Sequence, residues 1–433
     1  MSVETDQEPL RPSQHAVVFQ PSRRFYLAFT ALAALSLVVA LDGTSLSVAL
    51  PVIAEEIGGK AIDAFWAGTS FLLASTVTLP IYAAFSHIFG RKHITLIAVS
   101  VPRNRHRVVP REAYRKSYQA LCGFAYKSAR RLISLQVILF LVGCLVAGLA
   151  RNVPMMLVGR TIQGIGGGGI LALTNIILTD LVPLRYRGNW IGALAAMWAI
   201  GSVSGPVVGG ALAHEDTWPW IFYLNLPFIG VSFVLVAFFV RLRPLQLSWM
   251  EKLARVDCVG SFVFVASTTS LLVPLTWAGV MYDWQSWRVV APLGFALAGF
   301  IILGYHENFA TAYPIIRKQV FANRSANIAY FTTIIQGMVL WTLLYYQPLY
   351  FQAVRELSPV LSGIALFPAT FTVAPMAIVT GIFITKTGAY RWAVWGGWVL
   401  TTLGVGFMCA IDTSTQFVQV VLTDLCAGVG LGA

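Results

Sequence analysis

Residues Leu157 to Gly169 read LVGRTIQGIGGGG, an arginine set in an apolar segment and followed by a run of small residues. The apolar segment begins near Val153, so Arg160 lies well inside it. A charge at bilayer depth costs about 2.5–3.5 kcal/mol on insertion scales, and such residues normally face a bundle interior or a water-filled cavity. Arg160 is therefore a candidate functional residue; the alternative is a side chain snorkelling from a helix end. Gly164, Gly166, Gly167, Gly168 and Gly169 let a neighbouring backbone approach closely, which is how helices associate where lipid offers no hydrophobic driving force between them.

The rest of the chain supports the membrane setting. Of 433 residues, 57% are hydrophobic and 11% charged, against about a quarter charged in a soluble domain, and the mean hydropathy is +0.72. Twelve segments are apolar enough over about 17 residues to cross a bilayer as helices: 26–50, 65–86, a third discussed below, 153–174, 189–213, 220–240, 258–277, 289–305, 328–351, 361–384, 392–411 and 416–433. The expected fold class is an all-α polytopic membrane protein. No room remains between spans for a sizeable soluble domain, and the first span has neither signal-peptide length nor a cleavage site.

The net charge of +12 suggests nucleic acid, but its distribution argues against that partner. With Arg160 and residues 99–136 set aside, sixteen Lys and Arg fall on the side of the N-terminus. Four (Lys60, Arg151, Arg288 and Arg355) fall on the other. The positive-inside rule then places the N-terminus in the cytoplasm. The five cysteines show no disulfide or zinc spacing.

Residues 1–24 are polar and interrupted by prolines, as expected of a disordered cytoplasmic tail. The first span carries LDGTSLSVALP, with Asp42 in its outer half. An acid there can load and release a proton, or interrupt the helix beside Gly43 and Thr44. The second span ends in AAFSHIFGRKH, where Gly90 turns the chain and Arg91 and Lys92 mark the cytoplasmic side, with His87 one turn earlier. After ITLIA, residues 99–136 hold nine basic residues and one acid. Val99-Ser100 can be encoded as GTAAGT and Leu135-Gln136 can end in CAG, so the expectation is a retained intron. Its removal joins Ala98 to Val137 in one apolar span. The alternative is a long basic loop on anionic lipid, with the third span running from Leu132 to Ala150.

The fifth span carries IGSVSGPVVGGAL, with Gly201, Gly205, Pro206, Gly209 and Gly210. Glycines four apart line one face, and Pro206 removes a backbone hydrogen bond. WPWIFYLNLP opens the sixth span as an aromatic interfacial belt. Pocket candidates are Gln163 in the fourth span, Gln336, Trp341, Tyr345, Tyr346, Gln347 and Tyr350 in the ninth, and Asp424 in the last. Aromatic faces with a few amides suit bulky, partly apolar ligands; interhelical packing is the alternative for each.

Arg160 with Gly164, Gly166 and Gly168 recurs as Asp424 with Gly428, Gly430 and Gly432, at the same offsets of four, six and eight. GIFITKTGAYR (Gly381 to Arg391) follows the tenth span as AAFSHIFGRK follows the second. Spans two and four thus match ten and twelve, as internal repeats in transporters do. The domains expected are a tail over 1–24, a six-helix half over 25–240, a linker with two extra helices over 241–327, and four of six helices of a second half over 328–433. About fourteen spans are expected of the whole, with two beyond Ala433.

At these motifs the chain resembles the major facilitator superfamily, and within it the fungal fourteen-span drug:proton antiporter branch. LDGTSLSVALP, AAFSHIFGRK, LVGRTIQGIGGGG and GSVSGPVVGG are similar to its first-helix, loop, fourth-helix and fifth-helix motifs, in that order. His87 stands where the loop motif usually has an aspartate, and Thr385 stands at the acid position of the second copy. The resemblance implies that Arg160 takes part in proton coupling, that Asp42 assists it, and that Gly205, Pro206 and Gly209 belong to an antiporter helix. It implies two pseudo-repeated halves that export small hydrophobic compounds, drugs or secondary metabolites, by alternating access. The proton gradient would serve in place of a cofactor, and the chain would act as a monomer in the plasma membrane. No nucleophile, metal cluster or phosphate loop suggests an enzyme. Import of a sugar or iron chelate on the same fold, and a non-transporting product or sensor, are the rival readings.

Overall fold

A computed structural model describes residues 21–90, 127–183, 186–213, 217–239, 256–311, 313–316, 318–388, 390–412 and 415–433. Most of the expected tail, Arg91, Lys92, the ITLIA segment of the expected third span and residues 99–126 of the basic stretch lie outside the described residues, as do the side chains of His87 and Thr385.

Helices form at the expected span positions that fall within the described residues. They are α1 (Arg23–Glu56), α2 (Ala61–Gly90), α3 (Lys127–Gly148), α4 (Val153–Leu181), α5 (Arg187–Leu212) and α6 (Pro219–Tyr223 and Asn225–Phe239). There follow α7 (Cys258–Trp277), α8 (Trp287–Tyr305), α9 (Arg324–Ala353), α10 (Pro359–Ala365 and Phe367–Thr387), α11 (Arg391–Met408) and α12 (Phe417–Gly432). Among the described residues, nine stretches are long and apolar enough to cross a membrane, with α3, α11 and α12 the shorter or less apolar remainder. An isolated bridge between Ala278 and Tyr282 is the sole β pairing among the described residues. α3 runs without a break from Lys127, so residues 127–136 extend the same helix as the segment after Val137.

Local chemistry sets the helix starts and stops. The Ser22 hydroxyl accepts from the Phe25 amide at 3.3 Å and the Asn152 carboxamide from the Met155 amide at 2.9 Å, each satisfying a donor that the first helical turn leaves free. Gly388, at φ 68°, ends α10 in the left-handed conformation that favours glycine.

The main core lies in the first half, where α1 and α4 are enclosed by α2, α3, α5 and α6. α1 lies chiefly along α5, and α4 lies between α2 and α3. α7 and α8 pack mainly on each other, touching α2 through Trp277 and Trp66, whose ring centroids are 6.5 Å apart. Outward faces of α8 and α9 carry exposed apolar residues such as Ile301, Ile328, Phe331 and Met338, as a lipid-facing surface does.

The glycine repeat has a spatial counterpart. A Cβ on Gly164 would come within 2.5 Å of the Phe71 carbonyl on α2, and one on Gly428 would strike the Ala369 carbonyl on α10. Gly168 meets Ser75 as Gly432 meets Val373. Gly166 meets Gln136 and Phe140 on α3 as Gly430 meets Gly397 and Thr401 on α11. α12 therefore sits against α10 and α11 in the register in which α4 sits against α2 and α3. Backbones this close tolerate no side chain, which is why the small residues recur at those offsets.

Candidate functional site: a buried charge network in the first half

Arg160 is fully buried about a quarter of the way along α4. Its guanidinium is enclosed, so its stabilising partners have to come from within the helix bundle. Nη1 donates to Asp42 Oδ2 on α1 at 2.6 Å and to Gln163 Oε1 one turn along α4 at 2.6 Å. Nε donates to the Ala67 carbonyl on α2 at 3.2 Å. The Phe71 ring, also on α2, lies 4.5 Å from the guanidinium carbon, and the Phe222 ring of α6 lies 5.8 Å away. Aromatic faces attract a desolvated cation, so α2 contributes both a carbonyl and a ring to the same charge.

Asp42 is equally enclosed, and both its oxygens are used. Oδ1 accepts from Gln163 Nε2 at 2.7 Å and from Asn225 Nδ2 on α6 at 3.1 Å. Gln163 Nε2 also lies 3.0 Å from Cys144 Sγ on α3. One acid, one cation and two amides thus tie α1, α4 and α6 together, with α2 and α3 at the edge. α1 continues as helix through Asp42, Gly43 and Thr44, so the acid does not interrupt it.

The fifth-span motif packs directly behind this network. A Cβ on Gly201 would come 2.6 Å from the Leu37 carbonyl, one on Gly205 would strike the Thr44 hydroxyl, and one on Gly209 would strike the Ser45 carbonyl. These contacts bracket Asp42 along α1. The Thr44 hydroxyl reaches the Ala40 carbonyl at 2.9 Å and the Gly201 carbonyl at 3.4 Å. On its far side α5 meets the second half, where Gly210 abuts Pro359 and the Pro206 carbonyl abuts Gly363, both on α10. The expected antiporter face therefore joins the acid-bearing helix to α10.

Along α9 the pocket candidates divide by face. Trp341 and Tyr345, four residues apart, look toward the first half: Tyr345 donates to the Gly43 carbonyl at 3.2 Å, next to Asp42. Gln352 extends the contact to the Val48 carbonyl at 3.0 Å. Gln336 and Gln347 turn instead to α12, Gln336 donating to the Leu431 carbonyl at 2.8 Å and Gln347 to Asp424 Oδ1 at 2.5 Å. Tyr346 is exposed on the outer surface, and the Tyr350 hydroxyl accepts from Arg355 Nε at 3.4 Å.

A buried acid and arginine are thus joined across α1 and α4, in a bundle whose glycine-rich helices α4 and α12 pack in one register. Residues 122–433 match the Major Facilitator Superfamily. The chain belongs to that superfamily. It is 43% identical over 420 residues to MFS transporter L2 of a Phoma species, an alignment covering 97% of this chain and 64% of that protein. It is 35% identical over 429 residues to MFS-type efflux pump LUC4 of a Fusarium species, covering 99% and 68%. The chain thus spans about two thirds of the length of these superfamily relatives. Among solved structures, a peptide transporter in complex with sulfate superposes with a TM-score of 0.57 at 15% identity, over 93% of this chain and 79% of that one. The D-xylose-proton symporter superposes at 0.55 and 13%, over 94% and 80%. Both likenesses are of fold. The superfamily and these relatives are named for transport across membranes.

Within this superfamily fold, two site residues stand apart from their sequence-level assignment. Gln163, expected in a ligand pocket, is fully enclosed and bridges Arg160 to Asp42. Asn225 was hidden in WPWIFYLNLP, where Trp220 is exposed as a belt residue would be, while Trp218 and Phe222 are buried. The signal that could have found Asn225 is a lone amide in an otherwise apolar run.

Proposed function

We propose that the chain carries the coupling half of a proton-driven exporter of small hydrophobic compounds, working by alternating access. The observation that carries this reading is the enclosed pairing of Asp42 with Arg160 at 2.6 Å, held by Gln163 and Asn225 from two other directions. A proton on Asp42 removes the charge that opposes Arg160 and leaves the guanidinium with neutral acceptors, Gln163 Oε1 and the Ala67 carbonyl. Breaking a buried pair in this way costs about 3–5 kcal/mol. Turning a two-state equilibrium from 1:99 to 99:1 takes about 5.5 kcal/mol, so one proton supplies most of a conformational switch.

The helices that would feel the switch are those that meet at Asp42. α5 lies along α1 on both sides of the acid and continues to α10, and Tyr345 of α9 is bonded beside it. Loss of the ion pair loosens α1 from α4 and α6 and, through α5 and Tyr345, bears on the contact between halves. Trp341 and Tyr345 offer an aromatic surface at that contact, suited to an apolar or cationic compound. The similarity to proteins named efflux pumps supports export as the direction. The chain would need the proton gradient and no cofactor, act as a monomer, and sit in the plasma membrane with its N-terminus in the cytoplasm.

Vesicles containing the chain, loaded with the lipophilic dye rhodamine, test this under an imposed pH gradient. Wild-type vesicles should move dye against its gradient, and Asp42→Asn should bind dye but lose the gradient-driven movement. Undiminished gradient-driven movement in Asp42→Asn refutes the proposal.

A further inference from the structure

We infer that Asp424 and Gln347 form a second proton-holding site, a carboxylic acid paired with a primary amide, in the second half of the molecule. Its role in transport rests on the proton-coupled reading above; its protonation does not. Under the register shared by the two halves, Asp424 takes the place on α12 that Arg160 takes on α4, since Gly428, Gly430 and Gly432 pack as Gly164, Gly166 and Gly168 do. The partner again comes from the first helix of the half: Gln347 of α9 donates Nε2 to Asp424 Oδ1 at 2.5 Å. Where the first half closes an ion pair, the second has an acid and an amide.

Two atoms remain to be satisfied. Asp424 is fully buried, and its Oδ2, like Gln347 Oε1, has no hydrogen-bond partner among the described residues. Among the described residues no charge faces the acid either. Between Arg324 and Arg355, α9 carries only the phenols of Tyr330, Tyr345, Tyr346 and Tyr350, α10 carries only Lys386 near its end, and α11 carries only Arg391 at its start. On α12 itself the nearest titratable group is Cys426, whose thiol is directed to the Leu400 carbonyl at 3.5 Å. An isolated carboxylate in such a place is strongly disfavoured, and so is a buried acceptor without a donor. A single proton on Oδ2 answers both needs: it removes the charge, and a carboxylic acid beside a primary amide can form two hydrogen bonds, Nε2–H to Oδ1 and Oδ2–H to Oε1. The first half cannot hold a proton in this way while Arg160 opposes Asp42, so the two acids would load in different states of the molecule.

Infrared difference spectroscopy of the whole chain in lipid vesicles reads the site without depending on transport. At neutral pH the wild-type protein should show the carbonyl stretch of a protonated carboxyl group. That band should vanish in Asp424→Asn, persist in Asp42→Asn, and shift in Gln347→Leu, which removes the amide without touching the acid. If Asp424→Asn removes a carboxylate band instead, or Gln347→Leu leaves the protonated band in place, the inference is overturned. Should Asp424→Asn fail to fold, the Gln347→Leu shift decides alone. A band that behaves as expected in a protein whose dye movement ignores the pH gradient refutes the proposed coupling and upholds the site.

Discussion

Gln163→Leu isolates what the amide bridge contributes. Leucine keeps most of the volume and removes two hydrogen bonds to charged partners, Arg160 Nη1 to Oε1 at 2.6 Å and Nε2 to Asp42 Oδ1 at 2.7 Å. Neither charge is stripped bare, because Arg160 Nη1 keeps Asp42 Oδ2 and Asp42 Oδ1 keeps Asn225 Nδ2. Hydrogen bonds to charged groups contribute about 1.5–3 kcal/mol each in water-soluble proteins. Between membrane helices the average is nearer 0.6 kcal/mol, with a maximum of about 1.7. Full burial of all three side chains favours the upper end of the membrane range, so two bonds lost should cost about 2–3 kcal/mol. Reversible unfolding in mixed detergent micelles, followed by tryptophan fluorescence, measures it. In an Asp42→Asn background one of the two bonds has already lost its charge, and the same substitution should cost about 1 kcal/mol, leaving a coupling energy of about 1–2 kcal/mol. A cost below about 0.5 kcal/mol in the otherwise wild-type chain, or strict additivity in the double variant, would refute the network as a unit.

Two further outcomes follow from other parts of the structure. Gly205→Ala places a methyl group on the Thr44 hydroxyl and 3.0 Å from the Ser45 amide, so the same unfolding assay should show a loss of about 1–3 kcal/mol, whereas Gly192→Ala, which meets nothing within 4 Å, should be tolerated; equal effects would contradict the close packing of α1 on α5. Complementary DNA from the native transcript should lack the codons for residues 99–136, joining Ala98 to Val137, and a mature transcript that retains them would dismiss the intron.

The cost of an arginine in lipid made Arg160 legible from the sequence, and the apolar lengths placed the helices. Recurrence of glycines at fixed offsets revealed that α4 and α12 are related, because close backbone approach restricts the residue type at every such contact. Partnership was harder to read. Asp42 and Arg160 lie 118 residues apart, and nothing in either segment names the other. Gln163 looked like a ligand contact because an amide in a membrane helix serves equally as a bridge or a pocket wall, and only the position of α1 distinguishes the two. Asn225 was masked by the aromatic residues around it, half of which turn inward to Arg160 and the core rather than outward to the interface. Along α9, helical spacing alone could not say which candidates face the first half; Trp341 and Tyr345 do, while Gln336 and Gln347 belong to α12.

The claim that Asp42 is the proton switch is tested most directly by proton counterflow. Vesicles containing the chain and a trapped pH indicator, given an outward gradient of rhodamine and no pH gradient, should change their internal pH as dye leaves, and Asp42→Asn vesicles should lose dye passively with no pH change. Proton counterflow that survives intact in Asp42→Asn would contradict the account and move the coupling group elsewhere in the protein.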